Sequence, residues 1–385
     1  MSLLAYEDAR PWARAIEREV LAGRMPPWFA DPEHGQFSND ARLSVEDRDA
    51  ILEWVRSGAA VGDPPREPPV VELYENWRIG TPDLIIEMPE PFVVPANGEV
   101  DYVYVRLPLP DQEDRWVQSV EVDPGQPAVI HHVDVFLCRR GCEDFERLPI
   151  GVPSFLPLPE NAAPRNQDDA GEYFGLDIEL LFSYLPGGDA WILPPGRGRL
   201  LPGGGELLFN LHYSPNGREV SDRTRVGMVF SDEPPAERVL TIGVDNETLW
   251  IPAGASEHHA GARVVISEPL SLLALTPHMH LRGRSFAFDA VFPNGDRNRL
   301  LSVPEWDFNW QLTYILREPM RLPAGTEVVF QAVFDNSATN RFNPDPSRNV
   351  PWGRQVTDEM MTAWVEVAFP VSQDPETLLE RANAP

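Results

Sequence analysis

The first 62 residues carry apolar side chains at helical spacing. In the stretch DARPWARAIEREVLAG, Pro11 lies in the first turn, where a proline costs no backbone hydrogen bond. The apolar positions that follow recur near a period of 3.6 residues and are Trp12, Ile16, Val20 and Leu21. This spacing predicts an amphipathic helix.

A second helix is predicted in the stretch LSVEDRDAILEWVRSG. A capping box joins Ser44 to Asp47 at its start, and Gly58 ends it. The stretch GDPPREPP follows, and its prolines favour a stiff, extended chain. We therefore predict a helical region over residues 1–62 and a proline-rich linker over residues 63–74.

From about residue 70 onward, hydrophobic and polar positions alternate in short runs separated by Pro, Gly, Asn and Asp. The runs are DYVYVRLPL, QPAVIHHVDVFLC, GELLFNLHYS, TRVGMVFS, FAFDAVFPNGD and TEVVFQAVFDNS. Alternation places Val129, His131, Val133 and Val135 on one strand face, and Ile130, His132, Asp134 and Phe136 on the other. The pattern is typical of antiparallel β-sandwiches or barrels, so we predict a mainly β fold after a small α-helical region.

Composition narrows the class of protein. The 385 residues, 42% of them hydrophobic, can form two or three folded domains, and 41 prolines with 27 glycines fit many short strands joined by turns. The net charge of −28 argues against nucleic acid as a partner, because phosphate binding needs a basic face. No apolar run reaches the length of about 18 residues that suggests a membrane span. The first residues, MSLLAYEDARPW, lack the features of a signal peptide.

Five of the eight histidines lie in three strand-like runs: His131 and His132, His212, and His278 with His280. Neighbouring histidines point to opposite faces of a strand, so His131 and His132 can bind one ion only where the strand twists or bulges. Histidines two apart share a face, and neutral imidazoles suit copper, zinc, iron or nickel. The histidines of any one run could instead be structural residues that are hydrogen-bonded within a strand. It is less probable that this holds for all three runs.

Four motifs in order resemble those of the copper type II, ascorbate-dependent monooxygenases. The motifs are IHHVDVFLC, LHYSPNG, TPHMHLRGR and TDEMM, and the resemblance covers roughly residues 75–372. The family includes the peptide-amidating hydroxylase, dopamine β-monooxygenase and many bacterial relatives. The stretches WDFNWQ, FDNSATNRFNPDP and WGRQVTDEMM look especially like the bacterial branch.

The resemblance implies two copper sites in two jelly-roll-like β-sandwich domains, over residues 75–235 and 236–372, before a tail over residues 373–385. Its implied ligands are His131, His132 and His212 at an electron-supplying site, and His278, His280 and Met360 at a catalytic site where dioxygen is activated. A thioether is a soft ligand that favours Cu(I) and is unusual for zinc. Met361 is the neighbouring alternative to Met360.

In the family the two coppers face each other across an open, water-filled cleft. The implied activity is hydroxylation of a C–H bond of a small organic substrate by dioxygen, with an external one-electron donor such as ascorbate or a redox protein. The alternatives are a copper-binding or carrier protein without oxygenase activity, and a structural site for zinc or another ion. Copper chemistry suggests a periplasmic or secreted protein, with the cytoplasm as the alternative.

Some positions depart from the amidating enzymes. Thr276, Thr362 and Trp364 stand where those enzymes bind a substrate carboxylate, so a glycine-extended peptide is a poor substrate candidate. Arg282 and Arg284 follow the HxH pair and either meet an anionic substrate group or are ordinary surface or ion-paired residues. We expect Tyr213 to be a packing residue.

Cysteines and the N-terminal region extend the resemblance only in part. Cys138 matches a family cysteine, and Cys142 is the only partner in the chain; a local disulfide, a free structural pair and a redox switch all remain open.

Residues 1–62 look like the later part of a c-type cytochrome domain, with Met25 in the place of its axial ligand. Covalent haem needs CxxCH, which this chain lacks. We therefore expect no covalent haem, an unliganded Met25, and helices that pack against the copper domains.

Overall fold

Short strands alternate with turns along most of the chain, as the period-two pattern predicts. The computed structural model describes residue 3 and residues 5–63, 77–139, 145–156, 178–185, 188 and 190–381. It is mainly β, with 43% strand and 10% helix, and this confirms the predicted fold class. No helix in these ranges combines the length and apolar character needed to cross a membrane.

Two facing sheets enclose the first hydrophobic core. One sheet has the order β1-β12-β4-β9, with β8 paired to β4, and the other has the order β6-β3-β10-β5-β7. The strands are β1 (Leu84–Glu87), β2 (Phe92–Val94), β3 (Val103–Pro108), β4 (Arg115–Asp123), β5 (Ile130–Cys138), β6 (Ser154–Phe155), β7 (Ile178–Tyr184), β8 (Trp191–Ile192), β9 (Arg197–Leu201), β10 (Glu206–Tyr213), β11 (Val220–Asp222) and β12 (Arg225–Phe230). Valines and leucines from both sheets fill the space between them, and β2 pairs with β11 at the side.

A second core lies between the sheets β13-β22-β16-β19 and β18-β17-β20-β15-β23. The strands are β13 (Glu237–Asp245), β14 (Trp250–Ile251), β15 (His258–Ile266), β16 (Leu270–Met279), β17 (Gly283–Val291), β18 (Arg297–Val303), β19 (Tyr314–Leu322), β20 (Glu327–Phe334), β21 (Val350–Pro351), β22 (Met361–Pro370) and β23 (Leu379–Arg381). The last strand pairs with β15, so the predicted tail forms part of this sandwich as far as residue 381.

One sheet runs through both sandwiches. Strands β9 and β13 pair in parallel, with Glu237 opposite Arg197 and Arg238 opposite Gly198. The remaining ladders are antiparallel, as the sequence predicts for a sandwich. Because β12 ends at residue 230 and β13 begins at residue 237, the change from one core to the other falls in a short connection.

The outer faces of the two sandwiches pack on each other. In the first sandwich, β3, β5 and β10 contribute Tyr104, Phe136 and Leu208 to a shared apolar cluster, and in the second β22 contributes Trp364. Strand alternation explains this arrangement, because Val133 and its same-face neighbours fill the inner core while the next residue along each strand points outward.

A buried charged cluster crosses the same interface. Arg199 on β9 donates hydrogen bonds to Thr241 and Glu366 of the second sandwich and lies 3.4 Å from Glu179 of the first. Arg238 contacts the other oxygen of Glu179 at 3.3 Å. Buried charges need partners of opposite sign, and these residues supply them to one another across the interface.

The N-terminal helices form as predicted, but another segment fixes the region to the sandwich. The helices are α1 (Tyr6–Ala9), α2 (Ala13–Leu21) and α3 (Val45–Arg56), with a 3-10 turn at Arg10–Trp12. Ser44 caps α3 by accepting from the Asp47 N–H, which confirms the predicted N-cap, and its hydroxyl donates to the Asp47 carboxylate. The helices pack on each other through Ala13 and Val55, in a cluster separate from both cores.

The segment between α2 and α3 packs on the second sandwich. Trp28 lies edge-on to the ring of Tyr314 on β19, Phe37 packs on the same ring at a tilt, and Phe37 forms a backbone bridge with Leu316. The Asp31 N–H donates to the carbonyl of Ser302 at 2.8 Å. This segment therefore makes the contact that the prediction assigned to the helices, which instead pack on each other. Most of the predicted linker lies outside the described residues.

Asp245 makes the stability of the fold depend on pH. It ends β13 opposite Thr362 of β22, whose hydroxyl donates to its carboxylate. Burial raises the pKa of Asp245 from 3.8 to about 7, against the opposing effect of the Thr362 hydroxyl. The native state therefore holds a proton that the unfolded chain releases.

We expect the free energy of unfolding to fall by an amount on the order of 4 kcal/mol as pH rises from about 4 to 7 through this one group. Asp245→Asn removes the titrating proton and flattens this part of the profile, as measured by urea unfolding of the metal-free protein between these pH values. Asp232→Asn, at an exposed position, is the control and keeps the wild-type slope. An unchanged slope in Asp245→Asn would contradict the assignment.

Candidate metal centre

A β-bulge brings three histidines together on the first sandwich. His212 on β10 lies opposite His132 on β5, and the next pair is Tyr213 with Ile130, so His131 is the extra residue. The bulge turns His131 toward the side that carries His132 and His212. It also places Ile130 in the inner core, so the predicted alternation is wrong for residues 130 and 131.

The three rings turn their Nδ1 atoms toward one another. The Nδ1 of His131 lies 3.1 Å from that of His132 and 3.2 Å from that of His212. A ring nitrogen carries either one hydrogen or one lone pair, so hydrogen bonding alone satisfies this arrangement poorly. When two nitrogens each lie about 2.0 Å from one ion and the N–metal–N angle is about 100°, the nitrogens are about 3 Å apart. The geometry therefore fits one metal ion.

Burial keeps these rings neutral. His132 and His212 are 4% and 8% exposed. Burial lowers the pKa of His212 to about 3 and that of His132 well below its usual range, and the neighbouring histidines add to both shifts. A neutral ring offers a lone pair to a metal.

Asp134 supports the His132 ring on the side away from the cluster. Its carboxylate lies 3.8 Å from the His132 Nε2 and accepts a hydrogen bond from Ser183. This distance is too long for a hydrogen bond, but a carboxylate there favours a hydrogen on Nε2 and leaves the Nδ1 lone pair for the ion.

His278 and His280 form a second pair at the end of β16. The Nδ1 of His278 lies 2.5 Å from the Gln311 Oε1, and the Nδ1 of His280 lies 3.4 Å from the carbonyl of Asp358. Both acceptors fix the hydrogen on Nδ1 and direct Nε2 away. The His280 Nε2 is fully buried and has no hydrogen-bond partner. A buried imidazole nitrogen without a partner is costly unless a ligand binds it.

Met360 lies with this pair, whereas Met361 does not. Met360 lines a small cavity of about 60 Å³ together with His278, His280 and His132. Met361 is 1% exposed and packs in the second hydrophobic core. Alternation at the start of β22 separates the two methionines, and only Met360 is in position to join the histidines.

Glu359 holds the backbone around this second cluster. Its Oε2 accepts from the His280 N–H at 2.7 Å and the Met360 N–H at 3.2 Å, and its Oε1 accepts from the Arg282 N–H at 2.6 Å. Burial raises its pKa to about 8, although the three N–H groups favour the charged form. One side chain thus ties the end of β16 to the chain segment that carries Met360.

Tyr102 and Phe308 lie between the two clusters. The ring of Tyr102 is centred 4.9 Å from His212 and 6.3 Å from His280. Phe308 stacks on His131 at 5.1 Å and meets His280 edge-on at 6.4 Å. Two aromatic rings, the buried Tyr102 and the half-buried Phe308, therefore lie between the clusters.

Other predicted residues have structural roles. Arg282 is fully buried and donates hydrogen bonds to Asn336 and the carbonyl of Thr357, whereas Arg284 is exposed. Tyr213 is 1% exposed and donates to Asp222, in agreement with a packing role.

Two further residues named from the sequence, Cys138 and Met25, lie outside the two histidine clusters. Cys138 is disulfide-bonded, while Cys142 lies outside the described residues. Met25 is 40% exposed.

Three supporting residues were not predicted as part of the site. Asp134 was detectable, because it lies two positions after His132 on the same strand face. Glu359 precedes Met360 in the TDEMM motif, but nothing in that motif says where its carboxylate bonds. Gln311 lies 33 residues from its partner His278, and only the fold brings them together.

No family model matches the chain, and no curated protein matches it. Among solved structures, the VP2 subviral particle of infectious bursal disease virus is 12% identical, with 77% of each chain covered and a TM-score of 0.18. A structure of the Gt strain of the same virus is 8% identical, covering 78% of this chain and 77% of that chain, with a TM-score of 0.17. TM-scores this low support no inference about fold or function.

Glu359→Gln tests how the second cluster is held. A glutamine offers one acceptor oxygen instead of two, so at least one of the three N–H bonds is lost or weakened. We expect copper affinity to fall about 10- to 100-fold at the second cluster and to stay unchanged at the first, as measured by copper(I) competition titration.

Glu206→Gln is the control, since it alters a carboxylate bonded to Arg106 in the first sandwich. Equal affinity losses at both clusters in Glu359→Gln, or no loss at either, would contradict this role.

Proposed function

We propose that this chain is a copper-dependent monooxygenase that hydroxylates a C–H bond of a small organic substrate, using dioxygen and an external one-electron reductant. The proposal is supported by the four ordered motifs and by the two clusters that their residues form. The observation that carries it is a pair of clusters with different donor sets on facing sides of two sandwiches. One is the trio His131, His132 and His212, and the other combines His278 and His280 with a methionine.

The donor sets suit copper. Three neutral imidazoles bind both Cu(I) and Cu(II), whereas the thioether of Met360 is a soft ligand that favours Cu(I). Zinc sites seldom use thioethers, which makes zinc a poorer match for the second cluster. Bound copper would supply one-electron transfer and the activation of dioxygen.

The surrounding residues have roles that fit this chemistry. Asp134 and Gln311 orient His132 and His278, and Glu359 holds the backbone at His280 and Met360. The rings of Tyr102 and Phe308 pack on histidines of both clusters and limit the movement of those side chains.

Burial favours the enzyme over the copper carrier. A carrier that passes its ion to a partner needs ligands within reach of that partner, but His280 is fully buried and His132 is 4% exposed. We therefore keep the carrier as the second hypothesis. A periplasmic or secreted location, where a reductant such as ascorbate or a redox protein meets the site, belongs to the same proposal.

Copper content tests the ligand sets directly. We expect the reconstituted protein to hold about two copper ions per chain and each of the variants His131→Ala and Met360→Leu to lose about one under competition with a Cu(I) chelator. The matched controls are His259→Ala, at an exposed histidine, and Met361→Leu in the core, and both should keep the wild-type content. Wild-type protein that binds no copper, or Met361→Leu that loses an ion while Met360→Leu keeps both, would overturn the ligand assignment.

Oxygen chemistry separates enzyme from carrier. With ascorbate and a panel of small organic compounds, the copper-loaded protein should transfer one atom of ¹⁸O₂ into a hydroxylated product, detected by mass spectrometry. His278→Ala should abolish the product, because it removes a ligand of the second cluster, while His259→Ala should retain it. Oxygen consumption without labelled product from any compound would favour the carrier.

A further inference from the structure

A large cavity lies between the two sandwiches, beside both clusters. Its volume is about 790 Å³, and His132 from the first sandwich and His278 from the second form part of its wall. Small-molecule sites commonly have volumes of about 300–1,000 Å³. The N-terminal segment completes the wall with residues that include Met25, Trp28 and Asn39.

Aromatic side chains from several separate parts of the chain line this cavity. They are Trp28, Phe182, Trp191, Trp310 and Trp364. The Nε1 atoms of Trp28 and Trp191 are buried and have no hydrogen-bond partner. Aromatic rings bury large apolar area and favour contact with the flat apolar body of a bound molecule.

Arg199, the cation among the described lining residues, already has partners within the chain. It is 2% exposed, its Nη1 donates to Glu179 and the carbonyl of Leu180, and its Nη2 donates to Thr241 and Glu366. A carboxylate entering the cavity therefore meets a guanidinium whose Nη groups are already hydrogen-bonded. The anion would lose its hydration without gaining a free counter-charge.

The carboxylates that line the cavity also have partners within the chain. Glu366 pairs with Arg199, Asp40 pairs with Arg42, and Asp134 accepts from Ser183 and lies beside His132. Each of these carboxylates already accepts a hydrogen bond from another residue of the chain, so a cationic ligand would compete with Arg199, Arg42 or Ser183 for it. An uncharged molecule does not compete for these groups.

We propose that this cavity binds an uncharged organic molecule with an aromatic or cyclic apolar body, and that the Arg199–Glu366 pair is the element that rejects carboxylates. The identification of that molecule as the substrate rests on the proposed function. The binding itself does not, because it depends on the cavity wall and can be measured without copper or dioxygen.

Three probes with one ring system and different charges test the cavity. They are 2-naphthalenemethanol, 2-naphthoate and 2-naphthylmethylammonium, titrated calorimetrically at pH 7.5 into the full-length protein with and without copper. We expect the neutral alcohol to bind at least about 10-fold more tightly than either ion. Absence of alcohol binding, or an ion that binds as tightly as the alcohol, would overturn the proposal.

Thr276→Trp locates the binding site. Thr276 lines the cavity on β16, so an indole there should weaken binding of the alcohol at least about 10-fold by occupying its space. Val93→Trp is the matched control, since Val93 is 55% exposed on β2 and is not a lining residue. Unchanged affinity in folded Thr276→Trp protein, verified by circular dichroism, would place the probe elsewhere and contradict the inference.

Glu366→Gln tests the charge argument independently of cavity filling. Removal of this carboxylate leaves Arg199 with less counter-charge, so affinity for 2-naphthoate should rise at least about 10-fold relative to affinity for the alcohol. The control Glu237→Gln neutralises a carboxylate paired with Arg197 outside the lining and should change neither affinity. No gain for 2-naphthoate in Glu366→Gln would reject the role of the Arg199–Glu366 pair.

The two proposals fail separately. If the alcohol binds as expected but the protein holds no copper, the cavity inference stands and the monooxygenase proposal falls. If copper content and ¹⁸O incorporation are as expected but the anionic probe binds best, only the inference about substrate class is overturned.

Discussion

The parallel pairing of β9 with β13 determines how the two sandwiches face each other. Only Arg197 and Gly198 take part on β9, yet this ladder makes one sheet continuous through both halves of the molecule. The adjacent contacts of Arg199 with Glu179 and Glu366 reinforce it in a buried setting. With the sheets held in this way, the outer faces that carry the histidines lie against each other, and both clusters and the large cavity form between them.

Much of the fold follows from the period-two pattern. The six alternating runs each correspond to a strand, and Ser44 and Asp47 cap α3 as their spacing predicts. Pairings between strands that are far apart in the sequence are harder to predict, because the alternation within β9 or β13 does not say which strand lies beside it in the sheet. The bulge at His131 is also hidden in the pattern, since a regular strand and a bulged strand share the same residues until a partner strand fixes the register.

The ligand-type side chains are easier to predict than the groups that orient them. His131, His132 and His212 converge on one point, which the bulge makes possible, and His278, His280 and Met360 line one cavity. Gln311 and Glu359 act through hydrogen bonds to side chains or backbone that only the folded chain brings close. Their contribution depends on atomic distances, and sequence spacing does not encode those distances across a sandwich.

Sequence changes in the N-terminal segment have a different consequence from changes in the sandwiches. Residues between α2 and α3 form one side of the large cavity, although both clusters of ligand-type residues are built from the sandwiches. Loops tolerate insertions and substitutions better than paired strands do. Changes confined to this segment can therefore alter the size and shape of the cavity while the clusters stay intact, which makes it a natural place for evolution, or an engineer, to alter what the protein accepts.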